Sequence, residues 1–159
     1  MSQILIIGWG NVLRADDAAG FLAAEQLQQY YRDDPDVKVI ASHQLTPEMA
    51  LDISGSDFVV FLDASSAEEP GTILQTRILP DPLHSGFTHQ LTPGTLLSLA
   101  EQLYGHAPDA VGITLAGWSF KLKNKLSRRA QMLLPVLIAQ ARNAVETHRQ
   151  ISGVPALVK

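Results

Sequence analysis

The hydrophobic pattern along the chain alternates between two periods. Ile4-Leu5-Ile6-Ile7 is a short β-branched run that stops at Gly8-Trp9-Gly10-Asn11, which predicts a buried strand feeding a loop. From Asp17 onward Ala18, Ala19, Phe21, Leu22, Ala24 and Leu27 recur at helical spacing, with Asp16 or Asp17 placed as cap or first-turn acid, and Asp33-Asp34-Pro35 closes that unit. Val37 to Ala41 reads as a second strand. Thr46-Pro47-Glu48 opens a short helix to about Ser54, because Thr caps and Pro is tolerated at the first helical position. Phe58-Val59-Val60-Phe61-Leu62 is apolar on both faces, as a central parallel strand requires, and ends at Asp63. Gly71 to Leu79 forms a further strand with weaker alternation. A loop rich in Pro, His and Gly over 80–90 leads into a helix from Pro93 to about Tyr104. Val111 to Gly117 is the last strand, residues 126–148 make a long amphipathic helix, and the tail from Ile151 is expected to be loose.

Strands alternating with helices predict an α/β fold, a three-layer α/β/α sandwich of the kind shared by phosphorylase- and hydrolase-like proteins. Its twisted sheet of about five strands is mostly parallel, with 71–79 as the antiparallel strand. No linker or composition shift divides the chain, so residues 1–159 are read as a single domain. One internal echo stands out: His43-Gln44-Leu45-Thr46-Pro47 recurs as His89-Gln90-Leu91-Thr92-Pro93. Reuse of one loop-to-helix device explains it, and places both histidines in loops just before helix starts.

Composition narrows the chemistry. At 159 residues with 46% hydrophobic and 18% charged residues, the chain can bury a real core and is not a disordered polymer. Its net charge of −4 gives no whole-chain footprint for nucleic acid or an anionic membrane. The absence of cysteine excludes disulfides, thiolate metal sites and a cysteine nucleophile, so any metal must be held by His, Asp or Glu. The first residues lack a basic and long apolar leader, and no stretch is long enough to span a membrane. A soluble cytoplasmic protein is expected.

Gly8-Trp9-Gly10 after the first strand invites a dinucleotide-binding reading, but the third glycine of that fingerprint is replaced by Leu13 and the acid after the second strand is absent. A serine hydrolase using Ser65 or Ser66 with His84 or His89 lacks a nucleophile elbow. Sites in open α/β sheets form instead beyond the carboxyl ends of parallel strands. Three candidate ligands fall there: Asp17, Asp63 and His89. Two carboxylates and an imidazole suit a borderline divalent ion such as nickel or zinc, although an acid in a first helical turn also serves as a cap and one ending a strand as a turn residue. Asp16 is expected to point elsewhere, capping or pairing with Arg14. Lys121, Lys123, Lys125, Arg128 and Arg129 form a local basic stripe, either a solvated loop or a docking patch for an acidic partner segment.

The run Ile6-Ile7-Gly8-Trp9-Gly10-Asn11-Val12-Leu13-Arg14-Ala15-Asp16-Asp17-Ala18-Ala19-Gly20, followed by Phe61-Leu62-Asp63-Ala64 and Thr88-His89-Gln90-Leu91, resembles the nickel–iron hydrogenase maturation proteases in order and spacing. The resemblance implies an endopeptidase, aspartic-type or metal-assisted, that trims the C-terminal extension from the precursor of the hydrogenase large subunit. It implies Asp17, Asp63 and His89 as nickel-contacting residues, the two Asp as candidates for the catalytic base, and nickel supplied by the precursor itself. The nickel is either a tether for the scissile bond or a Lewis acid. A monomer working with neither nucleic acid nor membrane is expected. The rival reading is a non-enzymatic peptide- or metal-binding chaperone for the same precursor. Ala41-Ser42-His43-Gln44 departs from the Asp-Gly-Gly stretch common after the family's second strand, which raises the question of whether His43 joins the cleft.

Overall fold

The computed structural model describes residues 2–83 and 91–157. Five strands, β1 (Ile4–Trp9), β2 (Val37–Ser42), β3 (Phe58–Ser65), β4 (Ile73–Ile78) and β5 (Asp109–Ala116), form one sheet in the order β2-β1-β3-β5-β4. All neighbours are parallel except β4, which runs antiparallel to β5 at one edge, as expected for the strand over 71–79.

Side-chain alternation along the central strands divides the core in two. Ile4, Ile6, Val60 and Leu62 face helices α1 (Ala19–Tyr30) and α4 (Arg128–Leu157), packing on Leu27, Leu137 and Val145. Leu5, Ile7, Val59 and Phe61 face α2 (Met49–Ser54) and α3 (Pro93–Tyr104), packing on Ile53, Leu96 and Leu97. Burial on both faces is what requires these strands to be uninterrupted apolar runs. The result is a three-layer α/β/α sandwich.

The two Thr-Pro copies behave differently. Thr92 caps α3, its hydroxyl accepting the Thr95 N–H while the Thr95 hydroxyl accepts from the Thr92 N–H, with Pro93 in the first turn. Thr46 instead forms a turn, accepting the Met49 N–H on its carbonyl at 3.1 Å, so α2 begins at Met49 rather than Thr46. The echo still has structural content, because Leu45 and Leu91 pack into the same apolar cluster.

Two boundaries extend beyond expectation. β3 continues two residues past Asp63, in register with β5 from Asp63↔Thr114 to Ser65↔Ala116. The segment from Ile151, expected to be loose, continues α4 to Leu157. There the His148 ring is stacked on Phe58, with centroids 4.6 Å apart and planes 3° from parallel, and lies 3.3 Å from the Ser152 hydroxyl. Among the described residues no helix is long and apolar enough to cross a membrane.

Candidate active site

From β1 the chain crosses to β2 on one side and then to β3 on the other, so the carboxyl ends of β1 and β3 flank the point where strand order reverses. A cleft of about 430 Å3 opens there. Asp17, Asp63, His43 and Arg14 line it, with Leu45 and Leu91 on its apolar side.

Asp17 reaches the cleft through a tight loop. After β1, Asn11 accepts the Leu13 N–H on its side chain at 2.9 Å, and Asp17 Oδ2 accepts the Asn11 N–H at 2.8 Å. A 3-10 turn over Ala15–Ala18 then leads into α1. Gly10 is required here, since a Cβ at that position would overlap the Asp17 carbonyl oxygen. The same loop explains why the first glycines do not cradle a phosphate. The Gly10 N–H donates to Ser42, that of Asn11 to Asp17, and that of Arg14 to the Asn11 carbonyl, so the donors an anion would need are engaged.

Asp63 stands two residues beyond Phe61 on the α2–α3 side of the sheet, its Oδ1 accepting the Ala64 N–H at 2.8 Å. Trp9 packs edge-on against Phe61 beneath it, with centroids 6.2 Å apart. Burial pushes the Asp63 carboxyl up to about 7; the Ala64 N–H acts against this rise, and the nearby charge of Asp17 adds to it. Each carboxylate thus has one oxygen held by a backbone N–H. Among the described residues no hydrogen-bond donor engages the other oxygen of either.

His43 lies on the cleft wall, its ring stacked on Phe21 with centroids 5.1 Å apart and planes 13° from parallel. Among the described residues no three His, Asp or Glu side chains are gathered closely enough to hold a metal ion, so His43 does not complete a three-donor set with the two Asp. His89, the imidazole expected there, lies outside the described residues, as does His84.

Asp16 differs from expectation. It neither caps α1 nor pairs with Arg14, whose Nε donates to the Phe120 carbonyl at 3.3 Å. Its fully buried carboxylate accepts the N–H groups of Trp118, Ser119 and Ser127 at 2.7–3.1 Å and the Ser127 hydroxyl at 2.8 Å. Ser127 in turn accepts the Ala130 N–H at the start of α4. The loop between β5 and α4 is therefore bound to the residue next to Asp17. Its backbone adds Ala15 N–H to the Lys123 carbonyl and Lys123 N–H to the Leu13 carbonyl, both at 2.9 Å. Adjacent acids in sequence thus have opposite tasks, one structural and one facing the cleft. Ser65, weighed as a nucleophile, ends β3, where its hydroxyl donates to Glu68 and accepts the Ala67 N–H.

No protein-family profile matches the chain. Over 96 residues it is 29% identical to the hydrogenase 2 maturation protease of Escherichia coli (strain K12), a stretch covering 59% of this chain and 57% of that relative. Among solved structures, the NiFe hydrogenase maturation protease HycI from Thermococcus kodakarensis KOD1 is 28% identical, with a TM-score of 0.67 covering 87% of this chain and 91% of that one. The hydrogenase maturating endopeptidase HybD from E. coli shares the fold at a TM-score of 0.72 and 21% identity, covering 92% of this chain and 93% of that one. The chain is similar to hydrogenase maturation proteases in sequence as well as in fold.

Proposed function

We infer that this chain is a hydrogenase maturation protease, an endopeptidase that removes the C-terminal extension from the nickel-loaded precursor of a NiFe-hydrogenase large subunit. The observation that carries the reading is the pairing of Asp17 and Asp63 at the strand-order reversal, each with one carboxylate oxygen turned over to a backbone N–H and the other open to the cleft.

Nickel belongs to the substrate. Oxygen donors from Asp17 and Asp63, with the imidazole of His89, are suited to a borderline divalent ion, and a site without thiolates lets the ion leave with its product. In this role the ion tethers the precursor so that the scissile carbonyl is presented to the carboxylates. Asp63 acts as general base. It takes a proton from water as the water oxygen adds to the carbonyl carbon. The proton then passes to the departing amine nitrogen as the C–N bond breaks, which leaves the mature carboxyl terminus and a free tail. The expected state is a monomer and the expected setting is the cytoplasm.

Mass spectrometry of the nickel-loaded precursor before and after exposure to the protein tests this. Loss of the tail with the wild-type protein, and an intact precursor with Asp17→Asn or Asp63→Asn, is the expected result. Binding without any loss of mass would replace the protease by a chaperone.

A further inference from the structure

The stretch 118–131 holds five cations, Lys121, Lys123, Lys125, Arg128 and Arg129, and no acid. Since the whole chain stands at −4, the remainder carries −9. The positive charge is thus concentrated on one loop and the helix start that follows it. All five are exposed, and among the described residues none has a carboxylate partner; the ion pairs there use Arg32, Lys38, Arg77 and Arg149 instead. Arg14, which lines the cleft, extends this surface to the site, because its guanidinium donates to Phe120 in the same loop.

Two further features distinguish this loop from a solvated coil. It is held in place, by the Asp16 carboxylate and by the backbone pairing of Arg14 with Lys123. Its cations therefore need little ordering when a partner arrives. It also exposes large apolar side chains: Leu122 is 87% exposed and Leu13, the residue before Arg14, is 58% exposed. Apolar side chains set among unpaired cations beside a catalytic cleft have the composition of a recognition surface rather than a solubilising one.

We propose that the loop over 119–126, together with Leu13 and Arg14, is the docking surface for an acidic segment of the protein substrate, with Leu122 and Leu13 meeting an apolar residue within it. The proposal rests on the protease reading and assigns it a place of engagement outside the cleft. Long-range attraction to this surface brings the precursor in, and the rigid loop hands it to Asp17 and Asp63. The rest of the molecule, at −9, repels the same acidic segment and so favours one orientation.

The experiment measures the Kd of the nickel-loaded large-subunit precursor encoded in the same genome, across a salt series. Every protein in the binding series carries Asp63→Asn so that the complex is not consumed and the loss of that nickel contact is common to all comparisons; cleavage is followed separately with Asp63 intact. Introducing Lys121→Glu, Lys123→Glu and Lys125→Glu together is expected to raise Kd at least tenfold at low salt and to flatten its salt dependence. Leu122→Ser is expected to raise Kd several-fold without changing the salt slope. With Asp63 intact, the charge-reversed protein should show a raised KM at nearly unchanged kcat. These lysines are exposed, and an unchanged melting temperature establishes that the variant is folded. An unchanged Kd and salt slope in a protein that still cuts the precursor would overturn the docking surface and leave the protease reading standing. Charge-sensitive binding with no cleavage by wild type would do the reverse. Preferential retention of single-stranded oligonucleotide over precursor at the same salt would also overturn it.

Discussion

The carboxylate of Asp16 accepts both the backbone N–H and the hydroxyl of Ser127, at 2.7 and 2.8 Å, across 111 residues of chain. With Trp118 and Ser119 it has, among the described residues, four donors and no cation, so the N–H groups just before α4 and in the loop leading to it stabilise a fully buried negative charge. Removing it leaves those donors without partners. Asp16→Ala is expected to cost about 4 kcal/mol and Asp16→Asn about 2 kcal/mol, because an amide offers only one acceptor oxygen. Urea denaturation measures both, and a cost below about 1 kcal/mol for the alanine variant would reject the assigned role.

Asp17 should give the opposite profile. Its side chain faces the cleft, and among the described residues its one hydrogen bond is to the Asn11 N–H. Asp17→Asn is expected to change stability by less than about 1 kcal/mol while lowering the cleavage rate by at least about 100-fold, the usual scale for losing a group that acts on the reacting atoms. A variant that cuts the precursor at the wild-type rate would remove Asp17 from the site.

Stability of the metal-free protein should depend on pH through Asp63. In the unfolded chain this carboxyl has its ordinary value of 3.8, and in the folded protein burial raises it to about 7. Between these values the folded state binds more protons, so the contribution of Asp63 to stability is fully present below about pH 4 and is lost as pH rises toward and through 7. Asp63→Asn removes this slope, and at pH 8 it should be at least as stable as wild type. Melting temperatures from pH 5 to 8 for the two proteins would show it; parallel curves would mean that the carboxyl is not perturbed.

Gly10→Ala tests the loop that positions Asp17. Its Cβ would overlap the Asp17 carbonyl oxygen, a backbone atom that cannot swing aside. The 3-10 turn must shift, at an expected cost of about 2 kcal/mol, in the range for overpacking, with a fall in cleavage greater than that loss of folded protein explains. Denaturation and cleavage assays on the same preparation separate the two effects.

Much of this was legible because its causes are local. The runs Ile4–Ile7 and Phe58–Leu62 are continuous since parallel strands are buried on both faces, and Thr92-Pro93 marks the start of α3 since cap and first turn are supplied by adjacent residues. The same dipeptide at Thr46-Pro47 forms a turn instead, so an identical local signal yields a different helix start. That Asp17 and Asp63 line one cleft was legible from topology, because loops beyond parallel strand ends converge. The task of Asp16 was not, since its partners lie 102 to 111 residues away and nothing in Asp16-Asp17 tells which acid turns inward. The tail from Ile151 was expected to be loose, yet α4 continues through it, past the contact of His148 with Phe58.

The bond from Asp16 to Ser127 also orders events in time. Until synthesis has passed β5 the acid beside Asp17 lacks the Trp118 and Ser119 donors, and the two from Ser127 follow only when the loop before α4 has been made. A nascent chain ending at residue 116 can pair all five strands while Asp16 still has none of these four partners. The cleft is therefore completed late, when the basic loop and the start of the last helix lock the first loop of the chain into place.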